Sequence, residues 1–318
     1  MSNETAGKAT SSFPIDHRSP RTILVTGATA GIGRHLALDL ATRGHRVFAS
    51  GRSGQALESL RLEAEQAGTT IHPLVLDVTS SESIAAAADA VRAETGGYAI
   101  DVLVNNAGYG QGGALLELSD RVLRDQFDTN VFGLMAVTRA FVPEMLARGR
   151  GWIVNVSSVG GRVTFPFFGA YHASKYALEA LSDALRAELR PFGVHVAIVE
   201  PGPIESRFSE RAFGSLPEGQ QGSPYAATYA FAGTIRTASD RASFGPEHVA
   251  AAVRRAIGSR WPRARYVSPW FLALPLALMT LVPTRVLDAV FRRVFKLRAR
   301  AGAPAALPRA GGEAVAPS

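Results

Sequence analysis

The sequence predicts an α/β fold: a doubly wound parallel sheet of six or seven strands followed by a C-terminal helical appendage. Three observations carry that expectation. Short apolar runs of strand length alternate with segments of helix length; the first run leads straight into a glycine-rich turn; and an uncharged stretch plus a basic amphipathic segment follow the last run. Strand, helix, strand in repetition needs crossovers, and these place helices on both faces of one parallel sheet.

The elements follow in order. Thr22 to Val25 is the first strand, and Ile32 to Arg43 has helix length behind the glycine turn. Arg46 to Ala49, Ile71 to Leu76, Asp101 to Val104, Trp152 to Val156 and Val194 to Val199 are the next five strands, each apolar enough to be buried on both faces. Gln55 to Gln66, Glu82 to Glu94, Ser119 to Arg148 and Ala170 to Arg190 are the helices between them. No repeat at a fixed period interrupts this alternation.

Composition narrows the function. With 318 residues, 47% of them hydrophobic and 19% charged, the chain can bury an ample core. It has no cysteine, which excludes disulfides, thiol nucleophiles and thiolate zinc sites, and no metal site is expected. Cysteine usage weakly favours an intracellular setting. The net charge of +7 is unevenly spread: from Glu247 onward twelve Lys or Arg face three acids, a net of +9, so the first 246 residues net −2. A near-neutral body without a basic stripe argues against nucleic acid as a partner. The first twenty residues lack an apolar run and read as a loose tail, and the Ala/Pro/Gly-rich segment 299–318 reads as another.

Thr26-Gly27-Ala28-Thr29-Ala30-Gly31-Ile32-Gly33 joins the first strand to the first helix. Its glycines permit a tight turn and close approach to a pyrophosphate, which the helix N-terminus can hold through free N–H groups. Standing between a strand and a helix, the spacing is a variant of the dinucleotide fingerprint. The second strand ends in Ser50-Gly51-Arg52, with no acid to accept from a ribose 2′-hydroxyl. Arg52 can instead pair with a 2′-phosphate, and Arg34 is placed to assist, so NADP(H) is favoured over NAD.

Tyr171 and Lys175 stand four apart at the start of a helical segment and project from one face. A free phenol titrates near pH 10, but an adjacent ammonium and a nicotinium ring would favour the phenolate. Tyr171 could then exchange a proton with an alcohol or carbonyl oxygen while hydride moves. With seven Tyr and three Lys, a chance Tyr-x-x-x-Lys arises roughly 0.07 times, so coincidence is a poor explanation.

Over roughly Arg21 to Arg265 these residues resemble a short-chain dehydrogenase/reductase. The resemblance rests on the Thr26 to Gly33 loop, Asp77, Asn105-Asn106-Ala107-Gly108, Asn130, Ser158, Tyr171, Lys175 and Pro201-Gly202. It implies a Rossmann-like catalytic domain over 21–267, with the appendage at 268–298. It also implies a serine thirteen residues before the tyrosine, which selects Ser158 over Ser157. By resemblance Ser158 orients the substrate oxygen, Tyr171 is the general acid/base, Lys175 lowers its pKa and holds the nicotinamide ribose, and Asn130 keeps a water in a proton relay. The implied cofactor-binding set is Gly27, Thr29, Ala30, Gly31, Ile32, Gly33, Arg52, Asp77, Val78, Asn106, Ala107, Gly108, Tyr171, Lys175, Pro201, Gly202, Ile204 and Ser206. Ser206 stands where the family usually has threonine. A homo-oligomer is also implied.

Three stretches resemble the branch related to 17β-hydroxysteroid and retinol dehydrogenases: Asn105 to Gly110, Ser182 to Leu189 and Val199 to Ile204. That branch implies a bulky apolar alcohol or ketone. Tyr109, Phe165, Phe167 and Phe168 flank the catalytic positions, and more aromatics populate 203–245, a segment long enough to be a lid. A 3-oxoacyl thioester reductase and a catalytically silent nucleotide sensor are the alternatives. The first would want a basic pocket mouth, and none is obvious; the second would have lost Tyr171 or Lys175. Trp270 to Val282, interrupted by Pro275, is too short to cross a bilayer, while Arg285 to Arg298 aligns Val286, Val290, Phe291, Val294 and Phe295 on one stripe of a basic amphipathic helix. That stripe suits packing on the lid or a second subunit, or peripheral contact of 270–298 with a membrane. The expected location is cytoplasmic, with membrane association left open.

Overall fold

The computed structural model describes residues 19–97, 100–205, 212–216 and 223–297. Ser206 and the two terminal tails beyond Ser19 and Leu297 lie outside the described residues, as does part of the 203–245 segment.

The strands are β1 (Thr22–Val25), β2 (Arg46–Gly51), β3 (Ile71–Val75), β4 (Val102–Asn105), β5 (Gly151–Val156), β6 (Val194–Pro201) and β7 (Arg265–Ser268). They form one sheet in the order β3-β2-β1-β4-β5-β6-β7, and every neighbouring pair is parallel. The helices between them are α1 (Gly31–Thr42), α2 (Gly54–Gln66), α3 (Ser81–Glu94), α4 (Asp120–Phe127), α5 (Leu134–Arg148) and α6 (Gly169–Leu189). After β6 come α7 (Ala226–Arg241), α8 (Glu247–Ile257), α9 (Ala273–Leu281) and α10 (Thr284–Val294). Strand order reverses between β1 and β4, and the crevice at their carboxyl ends is where such sheets bind ligands.

The period-two alternation of each strand divides the core. Ile23 and Val25 of β1 join Leu36, Leu40, Val249 and Val253 on the α1/α8 face. Leu24 joins Phe48, Ile84, Val91, Val137 and Met145 on the α3/α5 face. Serine caps start three of the helices: Ser53, Ser80 and Ser119 accept from Ala56, Ser83 and Val122 N–H groups at the heads of α2, α3 and α4.

Three departures from the expected elements matter. The single helix expected over Ser119 to Arg148 is interrupted by a π turn, Asp128–Gly133, which contains Asn130. The seventh strand, β7, begins on an arginine and escapes an apolar pattern; Arg265 is held by Glu179, Glu200 and Asp183. Pro275 does not interrupt α9 but sits in its first turn, where the missing N–H costs nothing. The 203–245 segment carries a helix of its own, α7, and Ile204 bridges to Phe244.

Candidate active site

The site forms where β1, β2, β4, β5 and β6 end. Gly27, with φ +66°, turns the chain out of β1, and a Cβ there would lie 2.8 Å from Ala107 Cα. At Gly33 a Cβ would lie 2.5 Å from Asn106 Nδ2. The two ends are therefore closed together. Thr26 Oγ1 accepts from the Asn106 and Ala107 N–H groups at 3.0 Å each, while Asn106 Nδ2 donates to Thr26 O at 2.9 Å and Gly27 O at 3.1 Å. Unlike α2, α3 and α4, α1 has no side-chain cap, and its first turn holds no acid. Its leading residues, Ala30 to Gly33, line the cavity, leaving an electropositive helix end for an anion.

That cavity, of about 550 Å³, runs from the glycine turn past Tyr171 to a wall of aromatic rings. Gly27, Thr29, Ala30, Gly31, Ile32, Gly33, Arg52, Asp77, Val78, Asn106, Ala107, Gly108, Tyr171, Lys175, Pro201, Gly202 and Ile204 all line it, as does Ser158. Every expected cofactor residue within the described chain is thus brought together. Asn130 is not on the cavity wall. Arg52 is exposed at the end of β2, and Asp77 turns its carboxylate onto the Thr79 N–H and hydroxyl at 2.9 and 2.7 Å. These bonds, with Arg52 nearby, hold the Asp77 carboxyl below its usual range. Arg34 departs from its expected place: its guanidinium pairs with Glu63 on α2 and does not line the cavity.

Lys175 donates from Nζ to Val156 O at 2.8 Å. Asn130 is fastened by its whole amide: Oδ1 accepts from Tyr109 N–H at 3.1 Å, and Nδ2 donates to Tyr109 O and Ser174 Oγ at 3.0 Å each. The π turn that carries it is a local widening often found at functional sites. A Cβ on Gly108 would fall 3.0 Å from Asn130 Oδ1 and 3.8 Å from Lys175 Nζ, so glycine keeps the space between them clear. Ser158 accepts from the Gly160 N–H at 3.0 Å and is hydrogen-bonded to Tyr171.

Burial dominates the electrostatics. It pushes the Tyr171 phenol up to about 12, against a smaller downward pull from the Ser158 hydrogen bond. It pushes the Lys175 ammonium down to about 8, partly offset by the Glu179 carboxylate one turn away. The expected lowering of the Tyr171 pKa calls on a nicotinium ring as well as the ammonium; in the chain alone, burial of the phenol outweighs the Ser158 hydrogen bond. Behind the site, Arg162 and Arg265 each approach Glu200 Oε1 at 3.3 Å, and Arg265 also meets Glu179 at 3.0 Å. This buried network ties the turn after Ser158 to β6, β7 and α6.

The far wall was only half visible from the sequence. Phe165 and Phe168 line it as anticipated, but so does Phe295 at the end of the C-terminal helix, while Phe167 and Phe291 pack behind them in the same aromatic cluster. Phe291 meets Phe165 edge-on at 5.5 Å, and Phe295 lies 6.0 Å from Phe167. Phe167 holds a left-handed backbone, φ 67°, and the Tyr225, Tyr229 and Phe295 rings packed around it keep it there. Thr228 Oγ1 donates to Phe295 O at 2.8 Å, locking α10 to α7. The expected stripe therefore splits: the two phenylalanines turn in, while Val286, Val290 and Val294 stay exposed. His172 and Thr26 also went unassigned, although both sit inside motifs already singled out.

A doubly wound sheet whose glycine turn opens into one cavity with a Ser-Tyr-Lys set defines an oxidoreductase site. The chain belongs to the short-chain dehydrogenase/reductase family: the family model for short chain dehydrogenase matches residues 21–215. It is 37% identical over 272 residues to the uncharacterized oxidoreductase YbbO of Escherichia coli, covering 86% of this chain and 94% of that protein. It is 32% identical over 280 residues to a 3-ketodihydrosphingosine reductase of Bacteroides thetaiotaomicron, covering 88% and 99%. Identity to human 17-beta-hydroxysteroid dehydrogenase type 1 is 40% over 203 residues, covering 62% and 60%. Among solved structures, a short chain dehydrogenase/reductase from Burkholderia phymatum in complex with NAD superposes with a TM-score of 0.73 at 26% identity, covering 86% and 96%. One from Burkholderia cenocepacia in complex with NADP gives 0.65 at 26% identity, covering 86% and 98%. The fold accommodates either dinucleotide, so the family alone does not choose between them.

Proposed function

We propose that the chain is an NADP(H)-dependent oxidoreductase that interconverts a hydrophobic alcohol and its ketone or aldehyde. The observation that carries this reading is the single cavity with a backbone-lined, electropositive end, an aromatic end and Tyr171 between them. The residues suit a dinucleotide: side chains at Gly27 or Gly33 would collide with the β4 end, so the turn stays open to a close approach. Gly27 to Gly33, Asp77, Val78, Asn106 to Gly108, Pro201, Gly202 and Ile204 would hold it, with Ser206 assigned by resemblance alone. When bound, the cofactor supplies or accepts the hydride.

Arg52 selects the 2′-phosphate, because β2 ends without the carboxylate that would bind a free ribose 2′-hydroxyl. Ser158 orients the substrate oxygen through its hydroxyl. Tyr171 exchanges a proton with that oxygen, and its elevated pKa keeps it protonated at neutral pH, the state required of an acid that completes a carbonyl reduction. Lys175, anchored on Val156 O, supplies positive charge beside the phenol, its Nζ 5.8 Å from the ring centroid. Asn130 fixes the Tyr109 segment against α6 through Ser174. Arg52 and Lys175 are the only Arg or Lys on the cavity wall among the described residues, so the substrate end is apolar. The relatives named for a steroid and for a ketone-bearing sphingoid base are consistent with a lipid-like substrate.

A panel of steroid, retinoid, long-chain keto and small ketone substrates, assayed by absorbance with NADPH and NADH, tests the proposal. Turnover of bulky apolar ketones with NADPH is expected. Preference for NADH or for small polar ketones would overturn it.

A further inference from the structure

We propose that the outer face of the C-terminal helical hairpin is a docking surface for an anionic lipid bilayer, on which the protein lies without crossing. This goes beyond the redox reading and does not depend on it. From Tyr266 to Thr284 the chain carries no charged side chain. One would expect such a stretch to be covered, yet α9 turns only Leu276 fully into the protein. Trp270, Leu274, Leu278 and Leu281 on one arm and Val286, Val290 and Val294 on the other are 48–79% exposed. Exposure of this many large apolar side chains on neighbouring segments marks an interaction site.

Geometry argues against a crossing. No single described helix is long and apolar enough to span a membrane; the pair Trp270–Leu281 and Thr284–Val294 has the length and composition only when taken together, and it is bent by 112°. The nine residues of α9 would reach about 14 Å along a hydrocarbon core of about 30 Å. α10 cannot leave the body to extend it, because Phe291, Phe295 and the Thr228 hydrogen bond hold its other face on the cavity wall. What remains is a helix pair lying flat, with an exposed indole at Trp270 of the kind enriched at bilayer interfaces.

Charge identifies the occupant. The exposed valines of α10 share that helix and the turn after it with Arg285, Arg292, Arg293 and Lys296, against the single acid Asp288. Trp270 shares a shallow depression with Arg255, His248 and Arg254, the last of these paired with Asp39. Apolar side chains bordered by cations match the anionic headgroup layer of a bilayer. A second copy is a poorer match, since a two-fold contact through this face would set the same cations against one another. The arrangement also joins surface to site: Phe295 lines the cavity from the inner side of the helix that presents the valines outward.

The test uses the full chain and flotation with vesicles of phosphatidylcholine alone or mixed with phosphatidylglycerol. Binding to the mixed vesicles, weakened by salt, is expected. Leu274→Asp with Leu278→Asp should reduce it at least tenfold, and Arg292→Glu with Arg293→Glu should remove the preference for anionic vesicles. Both variants change exposed side chains and should keep the wild-type melting temperature. Failure of the wild type to float, or equal flotation of the leucine variant, would overturn the proposal. So would a dimer in sedimentation velocity that the leucine substitutions dissociate while vesicle binding is absent.

Discussion

The two ends of the cavity are built by different means. At the nucleotide end the groups in place are backbone and short side chains, and hydrogen bonds fix them: the Thr26 and Asn106 side chains make four of 2.9–3.1 Å across the β1 and β4 ends. At the substrate end the wall is ring against ring, Phe165, Phe168, Phe213 and Phe295, with Phe291 packed behind Phe165. Polar ties there join the ring-bearing segments to one another: Tyr229 donates to Glu117 at 2.5 Å and accepts the Ala114 N–H, and Thr228 donates to Phe295 O. Hydrogen bonds are directional and suit an end that must meet one invariant ligand. Aromatic contacts tolerate sliding, which suits an end that must fit a shape. The division predicts that damage at the substrate end changes which substrate is used, whereas damage at the nucleotide end or at the phenol between them changes whether any is used.

Tyr171→Phe sharpens this most. Removing one phenolic oxygen takes away the proton donor proposed above but not the ring, so turnover should fall by about 10²–10⁴ while dinucleotide binding, followed by fluorescence titration, stays within about twofold. A large loss of binding would show that the hydroxyl shapes the nucleotide end instead. Phe295→Ala strikes the other end. It removes a buried ring between α10, Phe167 and the cavity, and should cost about 3 kcal/mol in urea unfolding. KM for a bulky ketone should rise about tenfold or more, with little change for a small one; equal increases would contradict the division of labour.

Arg52→Glu acts more gently, because the guanidinium is exposed at the end of β2. Loss of one charge-assisted contact should weaken NADPH binding by about tenfold to a hundredfold and leave NADH nearly unchanged. Calorimetric titration with the two dinucleotides separates these outcomes, and equal losses would remove Arg52 from the cofactor assignment.

How much of this was legible follows the same line between the two ends. Gly27, Asn106, Tyr171 and Lys175 could be read because each lies in a short local motif whose geometry is set by neighbours in sequence. The substrate end is assembled from segments more than a hundred residues apart, such as Phe165 and Phe291, which periodicity cannot pair. Periodicity gave α10 one apolar stripe; packing divided it by size, taking the rings inward and leaving the valines out. β7 escaped because its place at the sheet edge is held by the ion pairs of Arg265, not by an apolar run. Arg34 was misplaced for a related reason: its partner Glu63 lies on another helix. The π turn at Asn130 leaves no mark in composition, since one extra residue per turn needs no special side chain.

His172 stands at the joint between the two ends and provides the finest test. It neighbours Tyr171 in sequence, meets the Phe165 and Phe168 rings, and accepts the Phe165 N–H at Nδ1, 3.1 Å away. Burial among these rings disfavours the imidazolium and pushes its pKa down to about 4 from 6.5. The folded value lies below the unfolded one, so the protein binds this proton less readily when folded. The stability associated with a neutral His172 is therefore full above pH 6.5 and is lost as the pH falls toward 4. At pH 5 the loss should be about 2 kcal/mol, and at pH 7 it should vanish. His172→Asn isolates it, because the asparagine oxygen can take the Phe165 N–H in place of Nδ1 but does not titrate. Urea unfolding of both proteins at pH 7 and pH 5 should show the wild type losing more stability than the variant by that amount. Parallel losses would mean that the imidazole titrates as it does in the unfolded chain, and that the aromatic wall is open to water next to the phenol.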